Sequence, residues 1–207
     1  MKKQITNNIT AYQKRISGRS RIRFLIGLYP RLKKYLQLSC IQYIARKHGA
    51  IIGKHTVIPY SLAKKANANL IIGDNTVIQT DKIDLRSPVK IGNNVIIGRC
   101  EIITTSHYVD SPDFEHKYYG IEIEDYVWLT SYVLVTPACR HIGYGAVASV
   151  GSVVVKDVER MSIVGGNPAV HLRKREKVHE DLVVESLLGG DLKKYIKTFM
   201  NRNKMKT

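Results

Sequence analysis

The chain has 207 residues, room for one domain with appendages, and its 44% apolar content is enough to bury a core, which excludes disorder of the whole chain. Its three cysteines, Cys40, Cys100 and Cys139, are an odd number with no C-x-x-C spacing, which argues against a disulfide framework and a structural zinc and fits a reduced, cytoplasmic setting. The formal charge of +16 sits in the flanks: residues 1–50 hold 12 Lys and Arg and no acid, residues 51–170 hold 11 against 12, and residues 171–207 hold 10 against 5. A nucleic-acid domain concentrates charge on the face that reads its ligand, beside a motif or aromatic platforms, and neither is present, so nucleic acid is set aside. The basic excess reads first as the ordinary solvated faces of flanking helices, and the apolar patch "RFLIGLYP" within it also suits peripheral contact of residues 1–50 with an anionic membrane surface. No cleavable signal pattern and no apolar run of about 20 residues is visible, so a spanning helix is not expected.

Residues 1–20 lack a strong period and are expected to be irregular. From Pro30 to Gly49 the apolar positions Leu32, Tyr35, Leu36, Tyr43 and Ile44 recur at helical spacing, which predicts an amphipathic helix with Gly49 as its stop. From Ile51 to about Val158 the pattern changes to short β-branched pieces punctuated by Gly, Asn or Asp. Aliphatic residues recur in steps of six, as at Ile52, Ile58, Ile72, Ile78, Ile91, Ile97, Ile103, Ile123, Leu129 and Val135, and then at Ile142, Ala148 and Val154 after one extra residue. A small residue four places on is the second inward position: Thr56, Thr76, Val95, Val127, Val133, Cys139, Ala146 and Ser152. A fixed period of this kind is the signature of an all-β solenoid. Three hexads would close one triangular coil, and stacked coils pair their strands in parallel and need caps at both ends. After Pro168 the pattern reads as helical again, with Leu182, Val183 and Leu187, then Asp191 as a helix start and Leu192, Tyr195, Ile196 and Phe199 on one face. These C-terminal helices are expected to cover the far end of the solenoid or a neighbouring subunit. The domain reading is a basic helical extension at 1–50, the solenoid at 51–170 and a helical tail at 171–207.

The repeat breaks at "TTSHYVDSPDF", residues 104–114, which predicts a loop of about 104–120 ejected from the coil. Excursions from a solenoid cost little stability and often carry function. The stretch "IEDYVWLTSYVLVTPACRHIGYGAVASVGSVVVKDVERMSIVGGNPAVHLRKR" resembles the C-terminal coils of hexapeptide-repeat acyltransferases, and "SHYVDSPDF" before "IEIEDYVW" resembles the O-acetyltransferases of capsule and colanic-acid polysaccharide synthesis. The resemblance implies a left-handed parallel β-helix, a homotrimer, and transfer of an acetyl group from acetyl-CoA to a hydroxyl. The hand comes from the resemblance alone, since parallel crossovers in general favour the other one. Departures from the family's letters occur at Val127-Trp128-Leu129-Thr130, Thr136-Pro137-Ala138-Cys139 and Val155-Lys156-Asp157.

An alcohol attacks a thioester only as its proton is removed, and a histidine titrating near neutral pH is suited to that work. By the resemblance His107 is the base. Asp110 or Asp113, three and six residues on, could hold its imidazole in the useful tautomer or serve only as turn residues; His116 is a rival base. Backbone N–H groups near Thr130 or Ser131 are candidates for the developing oxyanion. By the resemblance Ala148, Ser149 and Lys156 line the pantetheine arm, with Lys156, Arg173, Lys174 and Arg175 supplying charge for the phosphates. Cys100 and Cys139 fall at or near inward positions and read as core residues, which favours direct transfer in a ternary complex over an acyl-cysteine. Trp128 and the tyrosines 118, 119, 126 and 132 could offer a sugar a flat surface or simply pack.

Three other readings stand beside this one. A zinc hydratase on the same repeat would need three converging histidines, with His107, His116 and His141 as the candidates, yet no H-x-x-x-x-H pair exists and no metal is expected. The acceptor could be an antibiotic or serine instead of a sugar, and the chain could be a catalytically silent scaffold. The reading preferred is a sugar O-acetyltransferase of surface polysaccharide synthesis, acting on a sugar, nucleotide-sugar or lipid-linked saccharide in the cytoplasm, at or near the inner face of the membrane.

Overall fold

A computed structural model describes residues 11–178 and 191–203. Most strands have two or three residues and pair in parallel with their equivalents one coil away; the antiparallel pairs, Thr105–His107 with His116–Tyr118 and Ser162–Gly166 with Ala169–Lys174, are the exceptions. The first sheet is parallel and holds β1 (Ile51–Ile52), β2 (Leu70–Ile72), β4 (Val89–Ile91), β9 (Ile121–Ile123) and β12 (His141–Ile142). The second holds β3 (Val77–Ile78), β5 (Ile96–Ile97), β10 (Trp128–Leu129), β13 (Val147–Ala148) and β15 (Ser162–Gly166), closed by the antiparallel β16 (Ala169–Lys174). The third holds β6 (Glu101–Ile102), β11 (Leu134–Val135) and β14 (Val153–Val154). From β4 onward the chain visits first, second and third sheet in turn, so the sheets are the three walls of one winding. Ile72 pairs with Ile91, and Ile123 with Ile142, nineteen residues apart each time, one more than three hexads. Ile91 pairs with Ile123 thirty-two residues on, and the difference is an excursion carrying the antiparallel pair β7 (Thr105–His107) and β8 (His116–Tyr118).

The inward register follows the hexads with one correction. The buried residue of β6 is Ile102, 1% exposed and in register with Val135, rather than Ile103, because Gly98-Arg99-Cys100 turns the corner one residue early. All eight second inward positions from Thr56 to Ser152 are buried. The residue before each is where the chain turns, and Asn75, Asn94, Tyr126 and Tyr132 all have positive φ, between 54° and 63°. Along one edge the corners are laced: Asp74 Oδ1 accepts the N–H of Lys54, Asn93 Oδ1 that of Asp74, and Asp125 Oδ1 that of Asn93, each at 2.7 Å.

The flanks depart further from expectation. Residues 11–20 are not irregular, for α1 (Ala11–Ser17) precedes α2 (Arg21–Lys47), which starts nine residues before Pro30. The Ser20 side chain caps α2 by accepting from the Arg23 N–H at 3.3 Å, and Pro30 sits inside the helix. Its buried residues are Leu38, Ile41 and Ala45, while Leu32, Leu36 and Tyr43 of the expected core face are exposed. In the first coil α3 (Tyr60–Lys65) takes the place of a strand and buries Leu62 and Ala63. After Pro168 the chain forms β16, not a helix, since Ala169, Val170, His171, Arg173 and Lys174 pair back antiparallel onto β15, with Leu172 left over at a bulge. Leu182, Val183 and Leu187 lie outside the described residues. The C-terminal helix α4 (Leu192–Met200) packs on α1 and α2 at the N-terminal end, where Tyr12, Ile16, Tyr195 and Phe199 make a second small core with Phe24 and Leu28.

Candidate active site

His107 ends β7 opposite His116 of β8, on the exposed hairpin that leaves the coil between the third sheet and the first. The two imidazoles pack with ring centroids 4.3 Å apart. His107 Nδ1 lies 2.5 Å from the carbonyl oxygen of Phe114. A carbonyl can only accept, so Nδ1 carries a proton, and in the neutral ring the lone pair is then on Nε2, the tautomer a general base needs. Phe114 holds that carbonyl from a positive φ of 47°, an uncommon conformation for an aromatic residue, steadied by its N–H on Ser111 O at 3.2 Å. The orienting carboxylate foreseen at Asp110 or Asp113 is therefore replaced by a backbone acceptor. Both aspartates are exposed near the hairpin tip, and neither bonds to the imidazole.

The root of the hairpin is fixed by a residue that sequence spacing did not single out. Asp84, one coil earlier, accepts the Thr105 hydroxyl at 2.7 Å and pairs with Arg86 through Nε at 2.9 Å and Nη2 at 3.0 Å. Its backbone carbonyl takes the Thr104 hydroxyl at 3.0 Å. Burial by itself would raise the Asp84 carboxyl, but the hydrogen bonds from Arg86 and Thr105 outweigh it and hold the group far below the usual carboxylate range. The sequence shows Asp84-x-Arg86 as a local ion pair, but carries no signal that it lies beneath the break.

The residues expected on the donor side fall into two groups. The Thr130 N–H and hydroxyl both donate to Ala148 O, at 3.2 Å and 2.9 Å, which leaves Ser131 as the candidate of that pair for an oxyanion donor. Ala148 points inward and is 2% exposed, so its side chain cannot line an outer edge. Ser149 sits at the adjoining corner, donating its N–H to Val164 O at 2.9 Å. Lys156 and Lys174 line one groove of about 480 Å³ with His171, Glu159 and Asp157, over an apolar floor that includes Val164. Arg173, on the neighbouring strand position, is exposed, and its guanidinium bonds to Lys174 O. Arg175 does not serve as free charge, because its Nη1 ties the carbonyls of Tyr126 and Gly145 at 3.0 Å and 3.1 Å. Among the described residues no hydrogen bond or ring contact joins His107 to Thr130, Ser131, Ala148, Ser149, Lys156, Arg173 or Lys174 within one chain.

Cys100 and Cys139 are buried, and burial pushes both thiols up to about 12, out of the range in which a thiolate attacks at neutral pH. His141 is held apart from the hairpin pair by Glu124, Nε2 to Oε1 at 2.9 Å, so the three histidines that a zinc centre would need are engaged in two separate contacts. Among the described residues no three His, Cys, Asp or Glu side chains are grouped to hold a metal.

No family model matches the chain. It is 32% identical over 135 residues to a candidate colanic acid biosynthesis acetyltransferase of Escherichia coli, covering 64% of this chain and 74% of that one. The chain belongs to the hexapeptide-repeat acetyltransferases. It is also 37% identical over 95 residues to a candidate acetyltransferase of Schizosaccharomyces pombe, and 33% identical over 113 residues to galactoside O-acetyltransferase of Lactococcus lactis. These matches cover 42% and 53% of this chain, and span less than half the length of either relative, 44% and 49%. Among solved structures, a galactoside acetyltransferase in complex with coenzyme A aligns with TM-score 0.53 at 20% identity, over 84% of this chain and 90% of that one. A maltose O-acetyltransferase from Clostridium difficile aligns with TM-score 0.52 at 20% identity, over 82% and 100%. At such identity these two acetyltransferases speak for the fold alone.

Proposed function

We propose that the chain is an O-acetyltransferase that moves an acetyl group from acetyl-CoA to a hydroxyl of a sugar in surface polysaccharide synthesis, with His107 as general base. The observation that carries the reading is the His107 imidazole, lifted out of the coil on a hairpin with Nδ1–H on the Phe114 carbonyl and Nε2 open. His107 Nε2 takes the proton of the acceptor hydroxyl as its oxygen bonds to the thioester carbonyl carbon. When the tetrahedral intermediate collapses, the C–S bond breaks and the leaving thiolate receives that proton from His107. A positioned base of this kind is worth about 100- to 10,000-fold.

The fold is taken as a left-handed parallel β-helix over 51–170 with the 104–120 excursion, a basic extension at 1–50 and a tail at 171–207. The two lysines of one groove, Lys156 and Lys174, suit the anionic end of the donor, with Arg173 beside them and Ser131 and Ser149 at the corners nearer the thioester. His107 touches none of these residues in its own chain, which favours a site completed between copies in a homotrimer. A sugar acceptor draws support from the colanic-acid and galactoside relatives. A second acceptor class has a specific observation in its favour, 51% identity over 49 residues to chloramphenicol acetyltransferase of Klebsiella aerogenes, covering 24% of this chain.

The test is release of free thiol from acetyl-CoA by the purified chain and by His107→Ala, over acceptors that include mono- and disaccharides, nucleotide sugars, serine and chloramphenicol, with mass spectrometry of the products. Turnover on a sugar, lost by about 100-fold or more on substitution while donor binding persists, is the expected result. Turnover only on chloramphenicol or serine overturns the acceptor, unaltered turnover in His107→Ala overturns the base, and absence of acetyl-CoA binding by the native chain leaves the scaffold.

A further inference from the structure

α2 is apolar on two faces, and the fold covers one of them. Leu38, Ile41 and Ala45 are buried toward the coil, and Phe24 stacks on Phe199 of α4 with centroids 3.9 Å apart. The other face carries Ile22, Leu25, Ile26, Tyr29, Leu32, Leu36 and Tyr43, every one between 46% and 73% exposed. Ile22, Tyr29, Leu36 and Tyr43 follow one another at seven-residue steps, and Leu25 and Leu32 lie three after the first two. These spacings align the side chains into one stripe about 32 Å long. An exposed apolar stripe of that length marks a contact surface.

Charge identifies what it meets. Arg21 lies four residues before Leu25, Lys33 four after Tyr29 and Lys47 four after Tyr43, which makes each a neighbour of the stripe on the helix surface, and all three are exposed. α2 has no acidic residue, nor has any part of residues 1–50. A second copy of α2 would bring like charges together without the acidic partners that flank paired helices. An anionic lipid surface satisfies both halves of the pattern, taking the apolar side chains at the acyl boundary and the cations among the headgroups. No helix among the described residues is long and apolar enough to cross a membrane, which leaves α2 lying in the plane of the surface. We propose that the stripe from Ile22 to Tyr43 docks the protein on an anionic bilayer.

The experiment is flotation of the full-length chain with vesicles of phosphatidylcholine containing about one third phosphatidylglycerol, against vesicles of phosphatidylcholine alone. Two triple variants are carried alongside, Leu25→Ser/Tyr29→Ser/Leu36→Ser and Arg21→Glu/Lys33→Glu/Lys47→Glu. Thermal melting and sedimentation of each variant report fold and mass. The native chain should float with the anionic vesicles only and come off at high salt, and each variant should bind them about tenfold more weakly with its melting unchanged. Failure of the native chain to float, equal flotation with both vesicles, or undiminished binding by the serine variant overturns the proposal. A fall in mass on serine substitution without vesicle binding would show instead that a second copy occupies the face. Vesicle binding needs no turnover, so its failure leaves the acetyl-transfer reading untouched.

Discussion

Asp84 reaches His107 only through the hairpin it anchors, so it is a positioning residue and its loss should show in rate before binding. With the Thr105 hydroxyl and Arg86 released, β7 is free to shift, and displacement of a base by about 1 Å is enough to lose roughly 100-fold. Asp84→Ala is accordingly expected to lower kcat while leaving the KM for acetyl-CoA close to native, and Asp84→Asn, which keeps an acceptor for Thr105, should recover most of the rate. An equal rise in KM would show a general structural role instead. The pH dependence has a definite sign. A carboxyl held below its ordinary range contributes stability above that range and loses it as pH falls through the range toward the depressed value. The gap in melting temperature between the native chain and Asp84→Asn should therefore be present at pH 7 and close in acid. The excursion that carries His107 was legible from sequence because it breaks a period, whereas the imidazole's partner was not, since any residue can present the carbonyl that Phe114 presents. Asp84 escaped for a related reason, as spacing along the chain does not tell which side chain of the preceding coil lies beneath a loop.

At the scale of elements, the hexads were readable because each strand contributes one inward aliphatic residue and one inward small one, and the laced corners enforce that register. Gly73 shows how little room the corner leaves. A Cβ there would stand 2.7 Å from the carbonyl carbon of Gly92 and 2.6 Å from Asn93 Oδ1, the atom that accepts the Asp74 N–H. Gly73→Ala must either open the coil spacing or break that bond, and a loss of about 2–3 kcal/mol is expected, read by denaturant unfolding. Gly151, with no atom within 4 Å of an added Cβ, is the comparison: its positive φ of 71° leaves only backbone strain, so Gly151→Ala should cost about 1 kcal/mol. Equal costs at the two sites would refute the steric account of the corner. The helices were harder to read than the repeats. Periodicity found apolar residues on α2 but could not say which of its two apolar faces meets protein, and β16 offered no strand signal because only Ala169 of it is buried and its two faces do not alternate.

Over the whole molecule, the first two helices and the last one meet at one end of the coil, and a buried carboxylate joins them. Asp191, at the start of α4, does not cap that helix with its side chain. It accepts the Tyr12 hydroxyl of α1 at 2.6 Å and pairs with Arg31 Nε of α2 at 3.1 Å, at 2% exposure, while the Arg31 guanidinium rests 4.0 Å over the Tyr195 ring. Burial first, then the hydrogen bond to Asp191 and its charge, push the Tyr12 phenol far above its ordinary value. Three helices thus share one desolvated ionic contact, and that contact belongs to the small aromatic core, not to the aliphatic core of the coil. Asp191→Ala would leave the Tyr12 hydroxyl without its acceptor and Arg31, still bonded to Gly27 O and partly exposed, without its counter-charge, a loss of about 1–3 kcal/mol. Because the coil's own core contains none of these residues, the loss should be local: α4 should become a site of limited proteolysis between 191 and 203 while the β signal in circular dichroism and its melting temperature stay near native. Cooperative loss of both signals would mean that the helical end and the coil unfold as one unit. The docking stripe of α2 adds a consequence that separates these outcomes. It faces away from α4, so Asp191→Ala should still float with anionic vesicles if α2 keeps its seat on the coil through Leu38, Ile41 and Ala45, and should lose flotation together with the β signal if it does not.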